Sequence, residues 1–189
     1  TVINGMSTGG GSSETLWKKG TETDSIVQKL TGDNEAKTPT ATGTGSVAIG
    51  HGTEASGSWS HAEGSNTTAK GKYSHAEGES TNASGLYSHA EGSSTNAVGS
   101  WSHAEGNFTN ASGYYSHAEG FWTKAKGTYS HAEGGYTNAS ASYSHAEGNY
   151  TVTSNKYEHA QGRYNHNSEN QIFSIGTGNS ETDRRNAVS

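Results

Sequence analysis

The sequence predicts an all-β protein, a parallel β-solenoid of about ten coils with 14 residues to the coil. Two observations predict it. Ser-His-Ala-Glu-Gly occurs seven times, beginning at Ser60, and each copy starts 14 residues after the last; a fixed period of that kind dictates the architecture before local propensity does. Only 28% of the 189 residues are hydrophobic and 27 are glycine, so a globular core of ordinary size is out of reach and stacked small coils must replace it. Low hydrophobicity alone also fits disorder, and the periodicity decides against that.

Residues 1–40 lie ahead of the regular pattern and are expected to form a lead-in or trimer-forming cap. They carry Gly9-Gly10-Gly11-Ser12-Ser13, a short strand candidate from Ser25 to Leu30, and a turn at Gly32-Asp33-Asn34. Residues 41–176 hold the coils. The register extends backwards from the Ser-His-Ala-Glu-Gly copies to Ser46-Val47-Ala48-Ile49-Gly50 and forwards to Phe173-Ser174-Ile175-Gly176. A second run follows in each coil, as in Thr53-Glu54-Ala55-Ser56-Gly57 and Thr81-Asn82-Ala83-Ser84-Gly85. Fourteen residues suffice for two strands of about five residues and two tight turns. Coils that pair about 4.8 Å apart then make a rod roughly 45 Å long. Residues 177–189 read as a junction to a further domain.

Period-2 alternation sorts the side chains. In the first run Ser60, Ala62 and Gly64 share one face, and Trp59, His61 and Glu63 share the other; in the second, Thr53, Ala55 and Gly57 oppose Glu54 and Ser56. So narrow a coil admits only small residues, which must point inward. A roll filled with alanine and serine buries little apolar area, and its outward face supplies the remedy. That face carries an aromatic column at Trp59, Tyr73, Tyr87, Trp101, Tyr115, Tyr129, Tyr143 and Tyr157, and regular aromatics are interface material. The same face is expected to be the contact between identical chains. It comprises Val47 and Ile49 in the first coil, then His61, Glu63, His75, Glu77, His89, Glu91, His103, Glu105, His117, Glu119, His131, Glu133, His145, Glu147, His159 and Gln161, and finally Phe173 and Ile175.

Composition excludes several partners. A formal charge of -6 argues against a nucleic-acid backbone. No apolar run approaches the roughly 20 residues that span a bilayer, so no membrane insertion is expected in this segment. The absence of cysteine removes disulfides and cysteine-ligated zinc.

Adjacent His and Glu invite an acid–base reading, but catalysis needs one pocket holding groups of matched pKa, and seven equal copies along a rod provide none. No catalytic residue is expected. Three histidines meeting on a threefold axis would suit zinc or nickel. The preferred reading is a ladder in which a histidine of one chain meets a glutamate of another, with no metal or other cofactor. Stacked glutamates repel one another, so the ladder predicts histidines with raised pKa values. Six further aromatics, Phe108, Tyr114, Phe121, Trp122, Tyr136 and Tyr150, fall at turns outside the fixed sites of the repeat and are the candidates for a receptor contact. The aromatic column itself would also suit sugar stacking, with interface packing preferred.

Ser46-Val47-Ala48-Ile49-Gly50 followed by Thr53-Glu54-Ala55-Ser56-Gly57 resembles the head repeats of YadA-like trimeric autotransporter adhesins. The resemblance spans about residues 40–176 and departs from the family in placing His and Glu where Val and Ile stand. It implies a left-handed parallel β-roll, three of which associate about a threefold axis. The Ser-His-Ala-Glu-Gly form also resembles repeats of fibres and appendages of tailed bacteriophages, and the stretch after Gly176 resembles the junction before the C-terminal domain of such fibres. These resemblances imply a homotrimeric virion fibre segment that presents a host-attachment element to a cell-surface glycan or protein. The head of a bacterial surface adhesin is the alternative, and a glycan-degrading spike, which needs paired carboxylates in a groove between chains, is a second.

Overall fold

The small-residue runs close into coils that stack. The computed structural model describes residues 17–21, 24–28 and 37–188; Gly9–Ser13, Lys29, Leu30 and the turn at Gly32–Asn34 lie outside them. Ten five-residue strands, from Val47–His51 through His61–Ser65 to Phe173–Thr177, follow one another at the 14-residue interval. Each pairs in parallel with the next and in strict register, His61 opposite His75, Ala62 opposite Ala76 and Glu63 opposite Glu77. Together with flanking strands they form a 13-stranded sheet, and a 9-stranded sheet closes the other side of the roll. The chain is thus a parallel β-solenoid of ten coils, as the repeat predicts.

The strands of the second sheet are shorter than expected. They hold two residues each, as at Glu54–Ala55 and Asn82–Ala83. The cause is a bend after the alanine, where Ser56 N and Gly57 N both donate to the carbonyl of Ala69, so the run enters its turn early. Ser60 then closes that turn, its hydroxyl donating to the Gly57 carbonyl at 2.7 Å. The same bond recurs at Ser74, Ser88 and Ser102.

The interior is the predicted column of small side chains. Ala62, Ala76, Ala90 and their equivalents are fully buried, with the threonines at 53, 67 and 81 and the serines at 60, 74 and 88 beside them. One inward assignment is corrected. Gly64 and its equivalents as far as Gly162 are not in the core but at a corner, with φ of +108° at Gly64 and +104° at Gly78, whereas Gly176 of the last coil is buried. Pairing continues through the corner, Gly64 opposite Gly78, but the positive φ bends the strand, so side-chain alternation fails one residue sooner than the pattern implies. A Cβ at Gly64 would run into the carbonyl oxygen of Gly78 in the next coil.

Beyond the ten coils the long sheet is extended at both ends, and its outermost strands run antiparallel to their neighbours. Ile26–Gln28, within the expected Ser25–Leu30 strand, pairs in parallel with Val47–His51 and antiparallel with Trp17–Lys19. At the other end Asn186–Val188 lies antiparallel on Phe173–Thr177. The short sheet ends differently, on side chains. Asn165 bonds both the N–H and the carbonyl of Val152, at 2.7 and 2.8 Å. Glu158, buried where other coils have serine, accepts from the N–H groups of Ser154 and Asn155, each at 2.9 Å.

Candidate functional site

The five-residue strands present one flat outward face, and their in-register pairing stacks like residues on like. His61, Glu63 and their equivalents project from it and are half-buried. Consecutive imidazoles stack with centroids 4.6–4.9 Å apart from His61 to His159. From His89 onward each Nε2 lies 3.4–3.9 Å from a carboxylate oxygen of the preceding coil, as with His103 and Glu91 at 3.5 Å or His145 and Glu133 at 3.4 Å. The contacts therefore run between coils of one chain. None of the eight Nε2 atoms is open to solvent or has a hydrogen-bond partner of good geometry.

The histidine pKa values move opposite to the expectation. His61, His89, His131 and His145 lie below the ordinary imidazole value. Desolvation is the first cause and the neighbouring imidazoles of the stack the second, with the glutamates opposing both. Burial disfavours the cation, and a stack of cations would repel itself; carboxylates 3.4 Å or more away do not outweigh the two. At these four positions the surroundings favour the neutral imidazole.

Such a ladder is a poor chelator as it stands. Ligand atoms of His117, Glu119 and His131 all lie within 4.8 Å of one another. Yet the two imidazoles are stacked at 4.7 Å and 3° from parallel, so their in-plane lone pairs run side by side instead of converging. A shared ion requires one ring to rotate.

The aromatic column sits at a corner, not on the sheet face where alternation places it. Trp59 and its equivalents occupy the turn before the strand with φ between +54° and +65°, a left-handed region that costs a bulky residue roughly 1–2 kcal/mol. Stacking offsets it. The rings from Trp59 to Tyr157 are 4.8–5.5 Å apart and nearly parallel, and each such pair contributes about 0.5–1.5 kcal/mol beyond area burial. Lys72 adds a cation 4.9 Å from the Tyr73 ring.

The receptor candidates resolve into a second column. Phe108, Trp122, Tyr136 and Tyr150 are not outside the fixed sites: they stand at the corner after the strand, with φ of +55°, where earlier coils place Asn66, Ser80 and Ser94. Tyr164 extends them, 4.6 Å from Tyr150, and the 14-residue count from Tyr150 is the signal for it. Phe121 meets Phe108, Trp122 and Tyr136 edge-on, and Tyr114 meets Trp101 and Tyr115 edge-on in the first column. Because the rings stack along the rod, their faces are mostly covered by one another and their edges reach solvent. The loosest step, Trp122 to Tyr136 at 6.4 Å, is where the stack is most open.

Between the glutamates and the glycine corner runs a shallow groove. Its larger part has a volume of about 840 Å³ and is lined from Glu91 and Gly92 to Gly162 and Ile175; a smaller part continues it from Ile49 to Gly92. Its walls repeat without a distinct centre. Comparison of the sequence with models of known protein families and with curated proteins finds no match.

Proposed function

We propose that this chain is a structural, non-enzymatic segment of a homotrimeric fibre of a bacteriophage virion, holding a host-attachment element away from the particle. The observation that carries the reading is the His–Glu face. It is a flat, half-buried sheet surface with eight solvent-shielded Nε2 atoms that meet carboxylates only at 3.4–4.0 Å and make no hydrogen bond, bounded by apolar Val47 and Ile49 at one end and Phe173 and Ile175 at the other. A surface of that composition is completed by like surfaces, and three left-handed rolls about an axis, as in the YadA-like heads, complete it. The repetition of the groove and the absence of one distinct centre along it support a scaffold over a catalyst. The second column supports an attachment role, since exposed aromatics gather there in the later coils.

Sedimentation equilibrium of the purified chain tests the assembly, with a mass of three chains expected and a stable, folded single chain overturning it. Antibody labelling in electron microscopy tests the location. Labelled fibres on virions are expected, whereas label confined to the bacterial surface would replace this reading with the adhesin one.

A further inference from the structure

The trimer reading says that the outward faces meet; the structure also indicates which edges interlock. We propose that the Tyr/Trp corner of each subunit seats in the Glu/Gly groove of the next, around the ring. The inference rests on the trimer reading and adds the docking mode.

Three observations on the molecule lead to it. The first is co-occurrence inside the chain. In coils two to nine a Tyr or Trp at the corner accompanies a Glu, or Gln161 in the ninth, beside the glycine bend; in the first coil Gly45 accompanies Ile49, and in the tenth Gln171 accompanies Ile175. Within one chain the two positions flank the outward face, the ring at the turn before the strand and the carboxylate beside the glycine bend, about 12 Å apart for four residues of extended chain, too far for contact. The pairing is meaningful between chains, because a closed ring of identical subunits joins unlike edges, the start of one sheet to the end of the next.

The second is chemistry. Every ring of the corner column is Tyr or Trp, so each carries an O–H or N–H donor, and the groove wall is carboxylate, an acceptor only. The column's rings are 39–60% exposed. The third is shape. One side of the groove is glycine, where no side chain blocks a ring, and column and groove share one period because both are set by the same in-register pairing.

The chain has no cysteine, so paired cysteines report the contact directly. Tyr115→Cys with Glu119→Cys, and separately Tyr87→Cys with Glu91→Cys as a second pair in case one variant fails to fold, are oxidised mildly in the full chain. Neither pair can close within a chain, since a disulfide tolerates Cα atoms no more than about 7 Å apart. The expected result is a covalent trimer on a denaturing gel without reductant, with each single-cysteine variant running as one chain. A native mass of three chains with neither pair cross-linked overturns the docking mode and leaves the trimer standing. A native mass of one chain for the unaltered protein overturns both. Tyr87→Phe, Tyr115→Phe and Tyr143→Phe combined keep the rings and remove the donors, and are expected to raise the trimer dissociation constant about tenfold or more; an unchanged constant rejects hydroxyl–carboxylate pairing.

Discussion

The carboxamide of Asn165 takes the place of a strand for Val152: Oδ1 accepts from the Val152 N–H at 2.7 Å and Nδ2 donates to the Val152 carbonyl at 2.8 Å. Coils above use the backbone of the next coil there, as Glu54 N does with the Thr67 carbonyl. Asn165 stands at the threonine position of the repeat and is fully buried. Asn165→Ala is therefore expected to leave the partly buried Val152 N–H unpaired, at a cost of about 1–3 kcal/mol. Urea denaturation measures the loss, and hydrogen exchange is expected to lose protection first at Val152. Unchanged protection there would refute the capping role.

The glycine corner carries a sharper constraint. Gly92 has φ of +104°, and a Cβ on it would strike the carbonyl oxygen of Gly106. Gly92→Ala is expected to destabilise the roll by about 2–3 kcal/mol, from backbone strain and the displaced neighbour together. Thermal melting beside the wild type checks it; a shift no larger than that of an exposed-loop substitution would contradict the corner geometry.

Two substitutions inside the roll should act in opposite directions. Thr95 is fully buried and its hydroxyl has no partner, whereas the Ser102 hydroxyl donates to the Gly99 carbonyl at 2.6 Å. Thr95→Val keeps the shape and removes an unpaired polar group, and is expected to leave stability unchanged or raise it by up to about 1 kcal/mol. Ser102→Ala removes a made bond and is expected to cost about 1 kcal/mol. Equal losses in chemical denaturation would mean that the threonine hydroxyl is also engaged.

The pH dependence follows from the lowered values at His61, His89, His131 and His145. A histidine whose folded pKa lies below its unfolded value of about 6.5 binds more protons when unfolded. Stability is therefore complete above about pH 6.5 and falls as the pH drops through that value towards and past the folded ones. Melting temperatures across acid and neutral buffers are expected to rise with pH and then level off. A fall in melting temperature as pH rises through neutrality would instead identify a protonated ladder.

Much of the architecture is legible in the sequence because every rung repeats: the positions of His61, Ala62 and Glu63 fix register, inside and outside at once. The corners are not legible by the same reasoning. Parity assigns Trp59 and Gly64 to faces only if the backbone stays extended through them, and alternation carries no mark of where φ turns positive. The available signal was the unbroken glycine column itself, since glycine recurs where φ must be positive. The lowered pKa values of His61, His89, His131 and His145 were hidden for another reason: desolvation and ring stacking depend on how closely coils approach. Glu158 and Asn165 were visible as breaks in the serine and threonine columns, but their service to free backbone groups depends on which sheet ends beside them.

The strict pairing of each coil with its successor makes the rod a ruler. Removing one 14-residue unit from the middle, such as residues 86–99, deletes one rung and rejoins two that share Ser-His-Ala-Glu-Gly and Thr-Asn-Ala-Ser-Gly, so the roll would shorten by a single step of about 4.8 Å while the in-register pairing is kept. Reach in this molecule is counted in whole units, and tandem duplication or loss within the gene is enough to adjust it.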